Sequence, residues 1–224
     1  HAFHSFYGLM TFPFHKPDAV TLSIRGSEDI FPVNHIYCVG RNYAAHAKEM
    51  GADDRQPPFF FSKSDWAVTS GDVDYPADTN DLQHEVELVI AVGEEMSVFG
   101  FGVGVDLTRR DIQGQAKKDS KPWFRGKSFP GSAPVSKIIP LEKRSDYSDL
   151  NLVLSVNGEL KQSGSCRDMI WSPPEILCEL AANVPLQAGD LIFTGTPEGV
   201  GPLAKGDQII AAIPGEVELS FSIL

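Results

Sequence analysis

Short segments with an apolar residue at every second position dominate the chain, and this alternation predicts strands with one buried face. The clearest segment is the stretch 216–223 near the C-terminal end. Another pair of alternating arms flanks Asn157-Gly158. Because asparagine and glycine tolerate the positive φ angles of a tight turn, residues 152–161 are predicted to form a hairpin.

Two helix starts are indicated by capping signals. Ser172-Pro173-Pro174-Glu175 has the spacing of a capping box with proline at the first helical position, which predicts a helix to about Ala182. Thr108-Arg109-Arg110-Asp111 has the same cap spacing, and the polar segment that follows to Lys118 suits a surface or the wall of a site. Strands outnumber helices, so the predicted fold class is α+β and mainly β.

Composition indicates one compact domain. The chain has 224 residues, of which 42% are hydrophobic and 22% are charged, which is enough to bury one core of ordinary size. No repeat or low-complexity tract divides the sequence. A seam near Gly26 and Ser27 precedes the apolar run 36–39. We therefore expect an N-terminal arm at 1–27 and a main domain at 28–224.

Charge and the length of apolar runs exclude two classes of partner. Acidic residues outnumber basic residues 30 to 19, for a net charge of -11, whereas a nucleic-acid binder needs the opposite field. Every apolar run is interrupted before the roughly 18 residues that a membrane span requires, so no membrane partner is expected. An acidic surface also repels anionic substrates, so a site for an acid must carry its own cation or metal.

The cysteines and the N-terminal residues indicate the cellular compartment of the protein. Cys38, Cys166 and Cys178 show neither even pairing nor the spacing of zinc or redox motifs. The first basic residue is Lys16, so the basic-then-apolar order of a signal peptide is missing from the start of this sequence. We therefore expect reduced thiols and a cytoplasmic location.

The segment 84–90 carries two carboxylates at strand spacing. A strand places Glu85 and Glu87 on one face and the apolar residues between and after them on the other. Two like charges so placed repel each other, and either water or a bound cation relieves the repulsion. A solvated strand face and a cation site both stay open from these residues alone.

A third acid, Asp106, ends the small apolar segment 102–107 just before a predicted helix start. Strand ends are common places for functional sites. If Asp106 lies beside Glu85 and Glu87, the three carboxylates form a hard oxygen cage that suits Mg²⁺ or Mn²⁺ rather than zinc or copper, because no His or Cys joins it. The alternative is that Asp106 only begins the helix.

Five motifs occur in a fixed order along the chain. They are Val39-Gly40-Arg41-Asn42-Tyr43 with His46 and Glu49, His84-Glu85-Val86-Glu87-Leu88, Gly104-Val105-Asp106-Leu107-Thr108-Arg109-Arg110-Asp111 with Gln113, Lys121-Pro122-Trp123 with Lys127-Ser128-Phe129, and Thr194-Gly195-Thr196-Pro197-Glu198-Gly199-Val200-Gly201. In this order they resemble the fumarylacetoacetate hydrolase superfamily, from Arg25 to Leu224. The last motif alone would be weak, but five in order are specific. Arg25-Gly26 and the stretch 31–51 are similar to the bacterial fumarylpyruvate hydrolases.

The resemblance implies a mixed β-sandwich or β-roll with a few short helices, and a homodimer. It also implies Mg²⁺ or Mn²⁺ on Glu85, Glu87 and Asp106, which agrees with the interpretation of the acids alone. The substrate class it implies is a small anionic keto acid. The implied reaction is hydrolysis of the carbon–carbon bond of an acylpyruvate, with fumarylpyruvate giving fumarate and pyruvate in aromatic catabolism of the gentisate type.

Two candidate groups for the chemistry follow from this resemblance. If residues 42–50 are helical, His46 and Glu49 share one face and supply a base and its orienter for the attacking water. Without the resemblance, an ordinary contact on a surface helix would explain the pair. Lys127 is expected to stabilise the negative charge on the attacked oxygen, and its alternative is a solvated surface lysine.

Substrate binding is expected to involve Arg110 and Gln113, which lie one helical turn apart, together with backbone groups around Thr196. Arginine suits the bidentate geometry of a carboxylate. Arg110 and Gln113 could instead be plain helix surface. Phe59-Phe60-Phe61 is assigned to a strand core, with no chemistry.

The sequence departs from the family pattern at two places, and four rival functions stay open. The connection 94–100 lacks a charged, partly helical stretch that family members usually carry, and Pro130 stands where Asp is more common. Rival reactions on the same site are oxaloacetate decarboxylation and hydrolysis of simpler acylpyruvates. A further rival is an isomerase or decarboxylase of a longer diacid. The rival from a different class is a catalytically silent binding or scaffold protein.

Overall fold

A computed structural model describes residues 13–14, 18–43, 56–141 and 146–224. Its helices are α1 (Arg110–Lys118), α2 (Phe124–Lys127) and α3 (Pro173–Asn183), with 3₁₀ turns at Asp65–Ala67, Glu94–Met96 and Cys166–Asp168. Its strands are β1 (Thr21–Ser23), β2 (Ile30–Pro32), β3 (Ile36–Gly40), β4 (Phe59–Lys63), β5 (Val68–Thr69), β6 (Leu82–His84), β7 (Val86–Val92), β8 (Val98–Val105), β9 (Thr108–Arg109), β10 (Ala133–Pro134), β11 (Ile139–Pro140), β12 (Asn151–Val156), β13 (Glu159–Ser165), β14 (Leu191–Phe193), β15 (Gly201–Leu203), β16 (Gln208–Ile213) and β17 (Val217–Ser222). The α+β, mainly β class is confirmed. In the described ranges, none of the helices has the length and apolar character needed to cross a membrane.

A six-stranded sheet in the order β11-β8-β7-β14-β3-β4 forms the centre of the molecule. Strand β7 is buried along its whole length. Leu88 and Ile90 belong to one apolar cluster, and Val89 and Ala91 to the other. This alternation between two cores explains why β7 is almost continuously apolar, since both of its faces are covered.

A four-stranded antiparallel sheet in the order β13-β12-β16-β17 covers one face of the central sheet. Apolar side chains of β12 and β16 join Leu88 and Ile90 in one cluster. The predicted hairpin is confirmed, with Asn157 at φ 52° and Gly158 at φ 79° in its turn. The predicted C-terminal strand is β17, which pairs with β16. The strands that the alternation predicted therefore form an antiparallel sheet packed on the central sheet.

Glycines in β8 allow other segments to approach closely. A Cβ on Gly104 would lie 2.7 Å from Val89 Cγ2, and one on Gly102 would lie 2.8 Å from Ser136 Oγ. Those distances are shorter than side-chain contacts allow, so glycine is required at both positions. Strand β8 consequently lies close to its neighbours and ends in a fixed position just before Asp106.

The helix beginning at Ser172 is confirmed. Glu175 Oε2 accepts a hydrogen bond of 2.9 Å from the backbone N–H of Ser172, and Pro173 occupies the first position of α3. The predicted cap at Thr108 is wrong, because Thr108 lies in β9 and Arg109 occupies the cap position of α1. The Thr108 hydroxyl instead donates to the Asp106 carbonyl at 3.1 Å.

The N-terminal strands pack onto the second apolar cluster. Strand β1 pairs with β2, and Leu22 lies in the same cluster as Phe31. Gly26 lies in the turn between these strands with φ 76°. Residues on both sides of the suggested seam therefore share one cluster, and the division at residue 27 stays a prediction.

Candidate metal centre

The antiparallel pairing of β7 and β8 brings Glu85 and Asp106 together. Val86 at the start of β7 pairs with Val105 at the end of β8. Glu85 and Asp106 therefore lie just beyond the same end of the strand pair, and the Asp106 N–H donates to the Glu85 carbonyl at 2.8 Å. The topology thus places two carboxylates, 21 positions apart in the sequence, beside each other.

Glu87 completes the acidic set. Its Oε2 accepts a hydrogen bond of 2.7 Å from the Gly195 N–H. Gly195 has φ 97°, and a Cβ there would lie 2.7 Å from Asn42 Cβ, so only glycine can present this N–H. Within the described part of the chain, Glu87 has no ion-pair partner.

Glu85, Glu87 and Asp106 form a candidate cation site. One carboxylate oxygen from each lies within 4.8 Å of the other two, and all three residues are buried. The distances suit hard oxygen ligands around one ion. The alternative interpretation, in which Glu85 and Glu87 lie on a solvent-exposed strand face, is therefore wrong, because the second apolar cluster covers the Glu87 side of β7.

The electrostatic environments of the two glutamates differ. Burial raises the pKa of Glu85, but the Lys127 and Arg110 cations outweigh it and bring the pKa to about 2. Burial, together with the Asp106 and Glu85 charges, raises the pKa of Glu87 well above its ordinary value. Glu87 is therefore the carboxylate whose charge most needs a further cation.

Lys127 lies among these acids rather than in solvent. Its Nζ donates to Asp106 Oδ2 at 2.6 Å, to Glu85 Oε2 at 2.8 Å and to Thr108 Oγ1 at 2.7 Å. Burial lowers its pKa, but the Asp106 and Glu85 charges outweigh burial and raise it. The ammonium is thus held in its charged form at the edge of the metal centre.

Lys63 is a second buried cation that sequence reasoning missed. Its Nζ lies 2.8 Å from Asp106 Oδ1 and donates to the Leu107 carbonyl at 3.2 Å and to the Lys127 carbonyl. Asp106 Oδ1 is nevertheless without a well-oriented hydrogen bond. A lysine at the end of an apolar strand was the available signal, since an unpaired lysine is rarely fully buried.

Arg110 and Gln113 contact each other, as their spacing predicted. Arg110 Nη1 donates to Gln113 Oε1 at 2.7 Å, Nε donates to Gln83 Oε1 at 2.8 Å, and Nη2 donates to Glu85 Oε1. These bonds fix the plane of the guanidinium. Gln113 also lines the cavity.

Thr196 is held by Gln162, another residue that the sequence analysis missed. Gln162 Nε2 donates to Thr196 Oγ1 at 2.9 Å, and Gln162 Oε1 accepts from the Val86 N–H at 3.0 Å. The same oxygen lies 2.9 Å from His84 Nδ1. Gln162 thus links the start of β7 to the loop of Thr196. No local pattern marks it, because β13 reaches β7 only through tertiary contacts.

A cavity of about 160 Å³ opens onto the carboxylates. Its lining includes Glu85, Glu87, Arg110, Gln113, Lys127 and Thr196. Asp106 lies beneath them and is fully buried. Except for His46 and Glu49, which lie outside the described residues, the predicted site residues therefore converge at one place.

Aromatic residues form the wall between this cavity and a neighbouring one of about 390 Å³. Phe61 and Trp123 line both cavities, and their ring centroids are 5.8 Å apart. Lys127 Nζ lies 5.0 Å from the Phe61 ring centroid. The assignment of Phe59-Phe60-Phe61 to a strand core holds for Phe60 and Phe61, which pack against the apolar clusters. Phe59 is exposed at the edge strand β4, and Phe59 and Phe61 also line the cavity.

The chain belongs to the fumarylacetoacetate hydrolase family. Residues 35–223 match the family described as fumarylacetoacetate (FAA) hydrolase C-terminal. The expected family is confirmed over most of the sequence.

Individual relatives carry two activities in their names. A fumarylpyruvate hydrolase from Pseudomonas aeruginosa, crystallised in complex with Mn²⁺ and pyruvate, is 40% identical with a TM-score of 0.87, covering 96% of this chain and 99% of that one. The mitochondrial oxaloacetate tautomerase FAHD1 of Bos taurus is 40% identical over 201 residues, covering 84% of this chain and 91% of its own. The oxaloacetate tautomerase YcgM of Escherichia coli K12 is 38% identical over 198 residues, covering 83% and 90%.

Proposed function

We propose that this protein is a divalent-cation-dependent hydrolase of acylpyruvates and that it converts fumarylpyruvate and water to fumarate and pyruvate. The observation that carries the proposal is the convergence of Glu85, Glu87 and Asp106 beneath a cavity lined by cations. The similarity to a fumarylpyruvate hydrolase over nearly the full length of both chains supports it.

The residues at the metal centre fit Mg²⁺ or Mn²⁺. Their donors are carboxylate oxygens, Glu87 lacks a cation partner among the described residues, and its pKa is raised by burial and by the other acids. When bound, such an ion would polarise the keto-acid carbonyls and stabilise negative charge on the pyruvate leaving group. Glu85, Glu87 and Asp106 would hold it.

The cavity residues would orient the keto acid. Arg110 is fixed by Gln83, Gln113 and Glu85, so its guanidinium has one orientation in which remaining N–H groups can meet a carboxylate. Gln113 lines the same cavity and would contribute its side-chain amide to substrate binding. Groups around Thr196 would close the opposite side of the pocket.

Water would attack the acyl carbon with His46 as general base and Glu49 as its orienter, a role that rests on the family resemblance. His46 takes one proton from the water while the oxygen bonds to the acyl carbon. Lys127, charged and at the cavity wall, would stabilise the acyl oxygen through its positive charge as that oxygen becomes negative, since its three N–H groups already donate to Asp106, Glu85 and Thr108. The carbon–carbon bond then breaks, its electron pair goes to the pyruvate enolate, and a proton returns to that carbon.

A second activity, keto–enol tautomerisation of oxaloacetate, is favoured by the names of the curated relatives. Tautomerisation moves a proton between carbon and oxygen and breaks no carbon–carbon bond. Decarboxylation of oxaloacetate on the same site would release carbon dioxide and pyruvate. The three reactions therefore differ in their products.

The deciding experiment adds fumarylpyruvate, acetylpyruvate and oxaloacetate in turn to protein loaded with Mn²⁺ or Mg²⁺. Loss of the enol absorbance is followed in the ultraviolet, pyruvate is measured separately, and a chelator serves as control. We expect fumarate and pyruvate from fumarylpyruvate. Enol loss from oxaloacetate without pyruvate would replace the proposal by tautomerisation, and inertness toward all three would favour a silent member of the family.

The proposed base is tested by His46→Ala. We expect hydrolysis to fall by about 10²- to 10⁴-fold, the usual contribution of a general base, with Mn²⁺ affinity retained. His35→Ala is the matched control, because His35 lies on the surface away from the cavity lining. Unchanged hydrolysis in His46→Ala would rule out His46 and Glu49 as the general base and its orienter.

A homodimer in the cytoplasm is also part of the proposal. The dimer comes from the resemblance, and light scattering of the purified protein would measure its mass. A monomer under conditions of full activity would contradict it.

A further inference from the structure

The cavity above the metal centre carries an excess of positive charge. The charged residues that line it are four cations, Arg41, Arg110, Lys117 and Lys127, and two carboxylates, Glu85 and Glu87. The protein as a whole has a net charge of -11. The cavity is therefore a local attractor for anions on a molecule that otherwise repels them.

Two of these four cations form no ion pair with the carboxylates of the site. Lys127 and Arg110 both pair with Glu85. Arg41 and Lys117, in contrast, have no ion-pair partner among the residues that the structure describes. Their charges remain available to a ligand in the cavity.

The backbone holds Arg41 in an uncommon conformation. Its φ is 56°, which non-glycine residues adopt infrequently and often at functional sites. On one side, a Cβ on Gly40 would lie 1.9 Å from the Phe59 ring, so Phe59 packs directly onto the backbone. On the other side, the Asn42 amide donates to the Trp171 carbonyl at 2.8 Å and the Thr194 carbonyl at 2.7 Å. These contacts fix the turn that directs Arg41 to the cavity.

Lys117 reaches the same cavity from α1. It lies seven residues after Arg110 and four after Gln113, which is the spacing of one helix face. Its ammonium lies 4.7 Å from the Trp123 ring centroid. Partial burial lowers the pKa of Lys117, and the neighbouring Arg110 and Arg41 charges lower it further. A bound anion would relieve this repulsion.

The net charge of the metal centre favours one charge of ligand over another. The formal charges of Glu85, Glu87 and Asp106 are balanced by those of Lys63, Lys127 and Arg110. A divalent cation would add two positive charges to a partly buried site, and a monoanionic ligand would offset only one of them. A dianion would offset both.

We propose that Arg41 and Lys117 bind a second, distal carboxylate, so that the protein selects keto acids with a carboxylate at each end. This inference rests on the proposed function, because the keto-acid end is assigned to the metal centre with Arg110 and Gln113. Arg41 and Lys117 are thereby specificity-determining residues, and they take no part in the bond cleavage itself.

The test uses two stable keto acids that differ only at the far end. Calorimetric titration of Mn²⁺-loaded protein with 2-oxoglutarate, a dianion, is compared with titration by 2-oxopentanoate, which has a methyl group in place of the distal carboxylate. Variants are Lys117→Gln, Arg41→Gln and their combination. Lys118→Gln is the matched control, since Lys118 is the next residue of α1 and does not line the cavity.

We expect the unsubstituted protein to bind 2-oxoglutarate about tenfold more tightly than 2-oxopentanoate, with about three- to fivefold of that preference from each side chain, the range of partly exposed ion pairs. The double variant should lose the preference, because its affinity for 2-oxoglutarate falls more than its affinity for 2-oxopentanoate, and Lys118→Gln should keep the preference. Equal affinities in the unsubstituted protein, a preference that survives the double variant, or an equal loss in Lys118→Gln overturns the inference.

The outcomes also separate this inference from the proposed function. Hydrolysis of fumarylpyruvate without any preference for 2-oxoglutarate would keep the proposed function and remove the distal carboxylate site. A preference that depends on Arg41 and Lys117, in a protein that does not hydrolyse fumarylpyruvate, would keep the site and remove the reaction.

Discussion

The ammonium of Lys127 lies 2.6 Å from the carboxylate of Asp106, a residue 21 positions earlier in the chain. The same nitrogen is 2.8 Å from Glu85. Two of the three carboxylates of the candidate metal centre therefore already share a cation supplied by the protein. A divalent ion entering the centre would share the Glu85 and Asp106 carboxylates with that ammonium.

This sharing predicts opposite effects of Lys127→Met on stability and on metal affinity. Removing one partner of a buried ion pair typically costs about 3–5 kcal/mol, so the metal-free variant should unfold more easily. Its Mn²⁺ affinity should rise, because the ion no longer shares the carboxylates with an ammonium. Thermal unfolding with chelator and with Mn²⁺, together with Mn²⁺ titration, measures both. Lys205→Met, at an exposed lysine, is the control, and weaker Mn²⁺ binding in Lys127→Met would contradict the idea.

Glu85→Gln and Glu87→Gln should each abolish Mn²⁺ binding and turnover while leaving the fold intact. The substitution keeps the size of the side chain and removes the charge that an ion requires. Mn²⁺ titration and circular dichroism would measure the two properties. Glu218→Gln, at an exposed position of β17, should change neither. Retained Mn²⁺ binding in both site variants would dismiss the metal centre.

The two glutamates should affect the pH dependence of stability in opposite directions. The pKa of Glu85 is lowered from 4.5 to about 2, so its contribution is present above about pH 4.5 and is lost as the pH falls toward 2. The pKa of Glu87 is raised, so its contribution is present below 4.5 and is lost as the pH rises through the raised value.

Urea unfolding in the presence of a chelator, across a pH series, would measure these contributions. Glu85→Gln should flatten the loss of unfolding free energy in acid. Glu87→Gln should flatten the loss at higher pH. Parallel curves for both variants and the unsubstituted protein would show that the pKa values of Glu85 and Glu87 are not shifted in these directions.

Two glycines with open space around them should respond oppositely to alanine. Gly158→Ala should destabilise the protein by about 1 kcal/mol, because Gly158 has φ 79° in the hairpin turn. Gly114→Ala should stabilise it by up to about 1 kcal/mol, since Gly114 lies inside α1 and a Cβ there meets no atom within 4 Å. Urea denaturation measures both changes. A destabilised Gly114→Ala would indicate a constraint on α1 that the contacts do not show.

Much of the local structure, and the choice of candidate acids, could be predicted from the sequence. Alternation predicted the strands, Asn157-Gly158 predicted the hairpin turn, and Ser172 with Glu175 predicted the start of α3, because each of these signals is written in neighbouring residues. The family resemblance was recognised from the order of the five motifs rather than from any single motif. Spacing also placed Glu85 and Glu87 on one strand face.

The contacts between side chains from distant segments could not be predicted from the sequence, because they depend on how the strands pair and pack. Asp106 reaches Glu85 because β7 and β8 are antiparallel, and Lys63 reaches Asp106 from a strand more than 40 positions away in the sequence. Long-range pairing also put Gln162 beside Val86 and placed Phe61, which packs against the core as expected, at the cavity wall as well. Such contacts depend on how sheets stack and on which strand lies at an edge, and neither property is encoded in local periodicity.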